Sequence, residues 1–169
     1  MYLSILIGLL IWVFPLLAQD IKAIDYNDAI VEKQLELGGW MKNFAEQLQK
    51  KKIRDAEQTL NILNRLCRRH LEAIKAMPPY KGDHSLKEAA VGLFELYESV
   101  LNNEYQAILA EYRSAEVRGN INVQKVNKLL EDIKIREATS DKNFLDAQKT
   151  FSRKFGFTLK ENSLAQPSH

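Results

Sequence analysis

Cysteine is almost missing from this chain: Cys67 is the only one in 169 residues. That excludes an internal disulfide and a thiol-rich metal cage. Histidine is scarce at three residues, and none has a Glu three positions before it. The doubled Glu-x-x-His motif of di-iron bundles is therefore absent. Cys67-Arg68-Arg69-His70 falls one thiol short of the C-x-x-C-H haem attachment motif. The seven glycines never gather into a phosphate loop or a nucleophile elbow. A formal net charge of +2 is too mild to point to nucleic acid or an anionic membrane as partner. No catalytic residue, metal ligand set or cofactor is expected, and the chain reads as a non-enzyme.

Basic residues are missing from the beginning, where Met1 to Leu17 are all apolar or uncharged and Lys22 is the first cation. The apolar core Leu3 to Phe14 has the length of a secretory signal's hydrophobic region and is short for a membrane span of ~30 Å. Pro15 would break a helix just ahead of Leu16-Leu17-Ala18, and cleavage after Ala18 is expected. Residues 1–18 thus read as a signal peptide, 19–157 as the folded domain and 158–169 as a flexible tail. The expected location is secreted or periplasmic. The alternative is an uncleaved N-terminal anchor holding the domain at a membrane.

What the rest of the chain does have is helical period. Apolar residues recur at steps of three and four in four runs, over about 24–48, 52–77, 85–117 and 123–154. The second is the cleanest: Ile53, Ala56, Leu60, Leu63, Cys67, His70, Ile74, Met77. Pro78-Pro79 stop it, because the ring clashes with the preceding turn and removes a donor. Ser85 and Glu88 have the spacing of a capping box, and Gly156 that of a residue just past a helix end. An all-α, antiparallel up-down-up-down four-helix bundle follows, given the short loops and the lack of any strand pattern.

Charge agrees with that order. Basic against acidic residues number two to five, six to three, two to six and eight to five along the four helices. Signs alternate, so sequential neighbours attract and wrong pairings would bring like charges together. Cys67 and His70 fall on the apolar seam and read as a core thiol beside a satisfied core histidine. Lys50 to Lys52, Arg65, Arg68 and Arg69 read as solvated charge.

Two places go beyond a plain bundle. Gly38-Gly39-Trp40 lies inside the first helix, where each glycine costs ~1 kcal/mol relative to Ala. Folding the helices back on one another brings it level with Asn64, Asn103 and Ser140. A mid-bundle ligand pocket walled by Trp40 is one reading, and a close helix crossing or kink is the other. Nearby, Glu104 and Glu137 fall at one level with Arg136 beside them, as expected of a structural ion pair. The second place is the loop after the third helix. Helices three and four are the longer pair, at roughly 48 Å against roughly 38 Å. Their overhanging tip carries Tyr112, Val117, Ile121, Val123 and Val126, a candidate contact for an unknown protein partner if left uncovered.

Two segments carry a resemblance. Asp25-Tyr26-Asn27-Asp28-Ala29-Ile30-Val31-Glu32-Lys33-Gln34 is one. Phe144-Leu145-Asp146-Ala147-Gln148-Lys149-Thr150-Phe151, running on to Lys154-Phe155-Gly156-Phe157, is the other. They resemble the ends of an uncharacterised family of exported helical-bundle proteins of Gram-negative bacteria, some labelled surface lipoproteins. The resemblance implies export and no activity. The chain departs from the lipoprotein members in having no cysteine near the cleavage point to be acylated.

Overall fold

The computed structural model describes residues 21–159. The expected signal peptide and residues 160–169 of the expected tail lie outside them. Five helical segments follow one another: α1 (Ala23–Gln49), α2 (Ile53–Ala76), α3 (Ser85–Asn102), α4 (Glu104–Arg118) and α5 (Val123–Phe155). No strand occurs among the described residues, only an isolated bridge between Tyr80 and Asp83 in the α2–α3 loop. No described helix is long and apolar enough to cross a membrane.

The third expected helix is interrupted at Asn103, whose right-handed backbone is distorted to φ −113°, ψ −76°. The cause is local. Asn102 Nδ2 donates to the Glu98 carbonyl at 2.9 Å and Asn103 Nδ2 to the Ser99 carbonyl at 2.8 Å. Side chains that reach back four residues compete with the backbone ladder and bend it. Backbone bonding still passes through, from Asn103 N to Ser99 O at 3.1 Å and from Ala107 N to Asn103 O at 2.9 Å. Because α3 and α4 also lie against the same two neighbours, α2 and α5, they act as one rod. The described residues are all-helical, with four rods.

Local signals set two of the helix ends and not a third. Met77 leaves helical geometry directly before Pro78, as the proline pair requires. Gly156 sits just past α5 in the left-handed region at φ 72°, where the lack of a Cβ matters. The Ser85–Glu88 capping box does not form. Asp83 takes that place, its Oδ1 accepting from Ser85 N at 2.9 Å and from Ser85 Oγ at 2.6 Å. A carboxylate two residues before the first residue of α3 offers a stronger acceptor than the Ser85 hydroxyl, which is itself its donor.

One core runs through the rods. Ile30, Leu37 and Phe44 of α1 meet Leu60, Leu63 and Ile74 of α2, Leu93 and Phe94 of α3, and Phe144 and Phe151 of α5. Side-chain pairs give the order of contact. Glu36 meets His70 at 2.9 Å, Arg68 meets Glu98 at 3.4 Å, Lys75 meets Glu95 at 3.1 Å, Arg113 meets Glu57 at 2.6 Å and Arg136 meets Glu104 at 2.6 Å. Most join a basic residue of α2 or α5 to an acid of α3 or α4, as the alternating charge predicted.

The α1–α5 seam is different. These two helices touch far less than α1 and α2, α2 and α3, or α3 and α5 do. Asn27 Oδ1 accepts from Gln148 Nε2 at 2.9 Å, and the Tyr26 and Phe151 rings lie 5.8 Å apart. Both contacts sit at the very start of α1. Higher up, α1 reaches α5 through residues of α3.

Candidate functional site

The most chemically distinctive place is the polar floor of that open seam. Gln34 of α1 donates from Nε2 to the Tyr97 hydroxyl of α3 at 3.2 Å, and that hydroxyl donates to Asp141 Oδ1 of α5 at 3.3 Å. Glu137 lies one turn before Asp141 on the same helix, a spacing that leaves the two carboxylates as neighbours. The sequence places these groups by period: Tyr97 lies on the buried stripe of α3 with Leu93, Val100 and Leu101. Glu137 and Asp141 flank the buried line Ile133–Phe144 of α5.

Glu137 is half-buried and has no hydrogen-bond or ion-pair partner among the described residues. Burial, and then the charge of Asp141, push its carboxyl up to about 7 from an ordinary value near 4.5. Burial likewise raises Asp141, while the Tyr97 hydrogen bond opposes this. Tyr97 and Tyr105 are both pushed well up, first by burial and then by these carboxylates. The cation next to Glu137 in sequence is committed elsewhere, since Arg136 bonds Glu104 at 2.6 Å and Ser99 Oγ at 2.9 Å. That is the structural ion pair expected from the sequence.

The residues singled out around Trp40 scatter in depth. Trp40 is partly buried and packs on the core, Gly38 is half-buried and Gly39 is exposed. A Cβ built on either glycine meets nothing within 4 Å, so no close helix crossing explains them. Asn64 and Ser140 are half-buried and Asn103 is exposed. Asn64 Oδ1 is buried without a hydrogen-bond partner. The concavity beside Trp40 is a shallow surface depression of about 300 Å³, lined by Leu35, Glu36, Gly39, Trp40 and Asn43. It opens outward from α1 and contains none of Asn64, Asn103 or Ser140.

At the tip the named residues divide. Val126 is buried, and Tyr112 and Ile121 pack partly buried against it and the core. Val117 and Val123 face outward, at 90% and 55% exposed. Two residues that the sequence reading missed, Leu130 and Ile135, are exposed at 46% and 59%. Beneath them, Glu111 has a side chain only 6% exposed and pairs with Arg118 at 2.9 Å and with Lys125 at 3.7 Å. Arg118 first, then Lys125, hold its carboxyl below the ordinary value.

His70 and Cys67 occupy the core. His70 Nε2 lies 2.9 Å from Glu36 Oε2, and the Cys67 thiol donates to the Phe94 carbonyl at 3.6 Å. Burial pushes the thiol up to about 12, far from a reactive thiolate. No protein-family model, curated protein or solved structure matches this chain.

Proposed function

We propose that the chain is an exported, non-enzymatic binding or structural module that meets a protein partner through its α4–α5 end. The observation behind this reading is the concentration of exposed apolar side chains there. Single exposed apolar residues are ordinary. Here Val117, Val123 and Leu130 fall toward one end, with Ile135 further along α5, and Val123 and Leu130 share a stripe of α5 at a spacing of seven. The small-molecule alternative beside Trp40 has less support, because the depression there opens outward.

The same reading takes the rods as an up-down-up-down bundle. Its support is that Tyr26 bonds Pro78 and Glu36 bonds His70, while Lys75 meets Glu95 and Arg113 meets Glu57. Along each of these pairs of rods, residue numbers rise on one side as they fall on the other. It also takes residues 1–18 as a cleaved signal and the resemblance to exported bundle proteins as kinship.

Export is tested by the intact mass of the protein from fractionated native cells. A mass beginning at Gln19 or Asp20 in the soluble exported fraction supports a cleaved signal, and the full 19.5 kDa chain in the membrane fraction overturns it in favour of a retained anchor. The contact is tested with the double variant Val117→Lys and Val123→Lys. The expected result is loss of a cross-linked partner with the melting temperature unchanged. Retention of the same partner would move the contact elsewhere.

A further inference from the structure

We propose that the open α1–α5 seam is a proton-responsive joint: it tightens when Glu137 is neutral and loosens when Glu137 and Asp141 are both charged. The proposal stands on the arrangement of groups and is independent of the partner reading above.

Glu137 and Asp141 stand one turn apart on α5. The groups facing them can be named element by element. From α1 comes Gln34, which is uncharged; from α3, Tyr97; from α4, Tyr105, together with Glu104, which Arg136 already holds. Among the described residues no ion pair reaches either carboxylate: Arg136 is turned to Glu104 and Lys142 pairs with Asp146 at 2.9 Å. Half-buried Glu137 and the more exposed Asp141 repel when both are charged, and each draws water. The seam is the part of the bundle that can admit that water, because α1 and α5 touch each other much less than α1 touches α2 or α3 touches α5, and their direct hydrogen bond is at Asn27 and Gln148. Above that point the link from α1 to α5 runs through Tyr97, whose hydroxyl bonds one of the two carboxylates. A neutral Glu137 removes the repulsion and adds an O–H donor facing Asp141.

The direction with pH follows. The folded carboxyl of Glu137 sits near 7 against an ordinary 4.5, so the folded state holds a proton that the unfolded chain releases. Its favourable effect is complete below about 4.5 and is lost as pH rises through about 7. His70 works the other way, since burial lowers its value. The informative quantity is therefore the difference between wild type and Glu137→Gln, which keeps a neutral, isosteric side chain.

The test uses the full chain, wild type and Glu137→Gln, melted between pH 5 and 8, with amide exchange followed in α1 and α5. At pH 8 the variant should melt roughly 3–6 °C above wild type, and most of the gap should be gone at pH 5. Between those pH values, exchange at residues 34–48 of wild type should accelerate beyond the change seen in the variant. Parallel melting curves across the range would overturn the proposal, as would acceleration spread evenly over all helices. Should the variant fail to fold, carbon NMR of the wild-type Glu137 carboxyl decides. A midpoint near 7 supports the joint and one near 4.5 overturns it.

Discussion

The two ends of this bundle are built differently. At the end where α1 starts and α5 stops, five aromatic rings interlock: Tyr26, Tyr80, Phe151, Phe155 and Phe157, with centroid separations from 4.7 to 6.0 Å. Polar ties cross between elements there. The Tyr26 hydroxyl donates to the Pro78 carbonyl at 3.0 Å, Lys87 Nζ to the Met77 carbonyl at 2.7 Å, and Lys154 pairs with Asp83. At the opposite end, the first half of α5 buries only Val126 and Ile133, and α4 buries only Ile108, Leu109 and Glu111. Rings fix one end from every side, while the other is a hairpin lying on the bundle with apolar side chains turned outward. Stability and available surface have thus been separated along one axis.

The comparison is broken most directly by emptying each end in turn. Phe151 is fully buried and touches Tyr26, Tyr80, Phe155 and Phe157. Phe151→Ala should cost ~3–5 kcal/mol through lost contact and a cavity the rings cannot close. Val126→Ala, at the sparse end, should cost ~1 kcal/mol, since a smaller group leaves a site with few neighbours to collapse. Denaturant melts read both, and similar costs would mean the ends are not unlike after all.

Acid sharpens the contrast. Hydrogen bonds from Lys154 and then from Ser85 hold the Asp83 carboxyl down to about 2, against an ordinary 3.8. Its contribution is present above about 4 and fades as pH falls toward 2. The ringed end should therefore loosen in acid, read as faster exchange at α3's first turn, while the α1–α5 seam does the reverse between pH 7 and 5. Asp83→Asn should remove most of the acid response, and an unchanged response would place it elsewhere.

The smallest effect concerns Gly38 and Gly39. With open space where each Cβ would stand, Gly38→Ala and Gly39→Ala should each raise stability by somewhat less than ~1 kcal/mol. A loss instead would show that α1 needs a deformable middle where it draws away from α5.

Much of this was legible beforehand where the cause is local. Apolar period places the second helix over 52–77, where the structure has Ile53–Ala76, and the last over 123–154, where it has Val123–Phe155. Apolar period and the proline and glycine stops suffice there. The break at Asn103 escaped because Leu101, Ile108 and the residues around them keep the helical period, while the cause is two asparagine amides bonding backward. The cap by Asp83 escaped because Ser85–Glu88 has a motif's spacing and Asp83 has none. Glu137 was noticed beside Arg136, but its company with Tyr97, Tyr105 and Asp141 depends on how α3, α4 and α5 meet. The outward turn of Leu130 and Ile135 depends on which rods leave α5 uncovered, a property no single helix records.

The Glu111 clamp has a consequence for assembly. It joins residues close along the chain, Glu111 with Arg118 and Lys125, whereas the bond from Gln148 to Asn27 spans 121 positions. Short loops close at little entropic cost and long ones only after much else is in place. We expect the α4–α5 hairpin to gain protection early in refolding and the ringed end to lock last. Pulse-labelled exchange during refolding would show the order. The first part to form would then be the end left most exposed in the finished molecule.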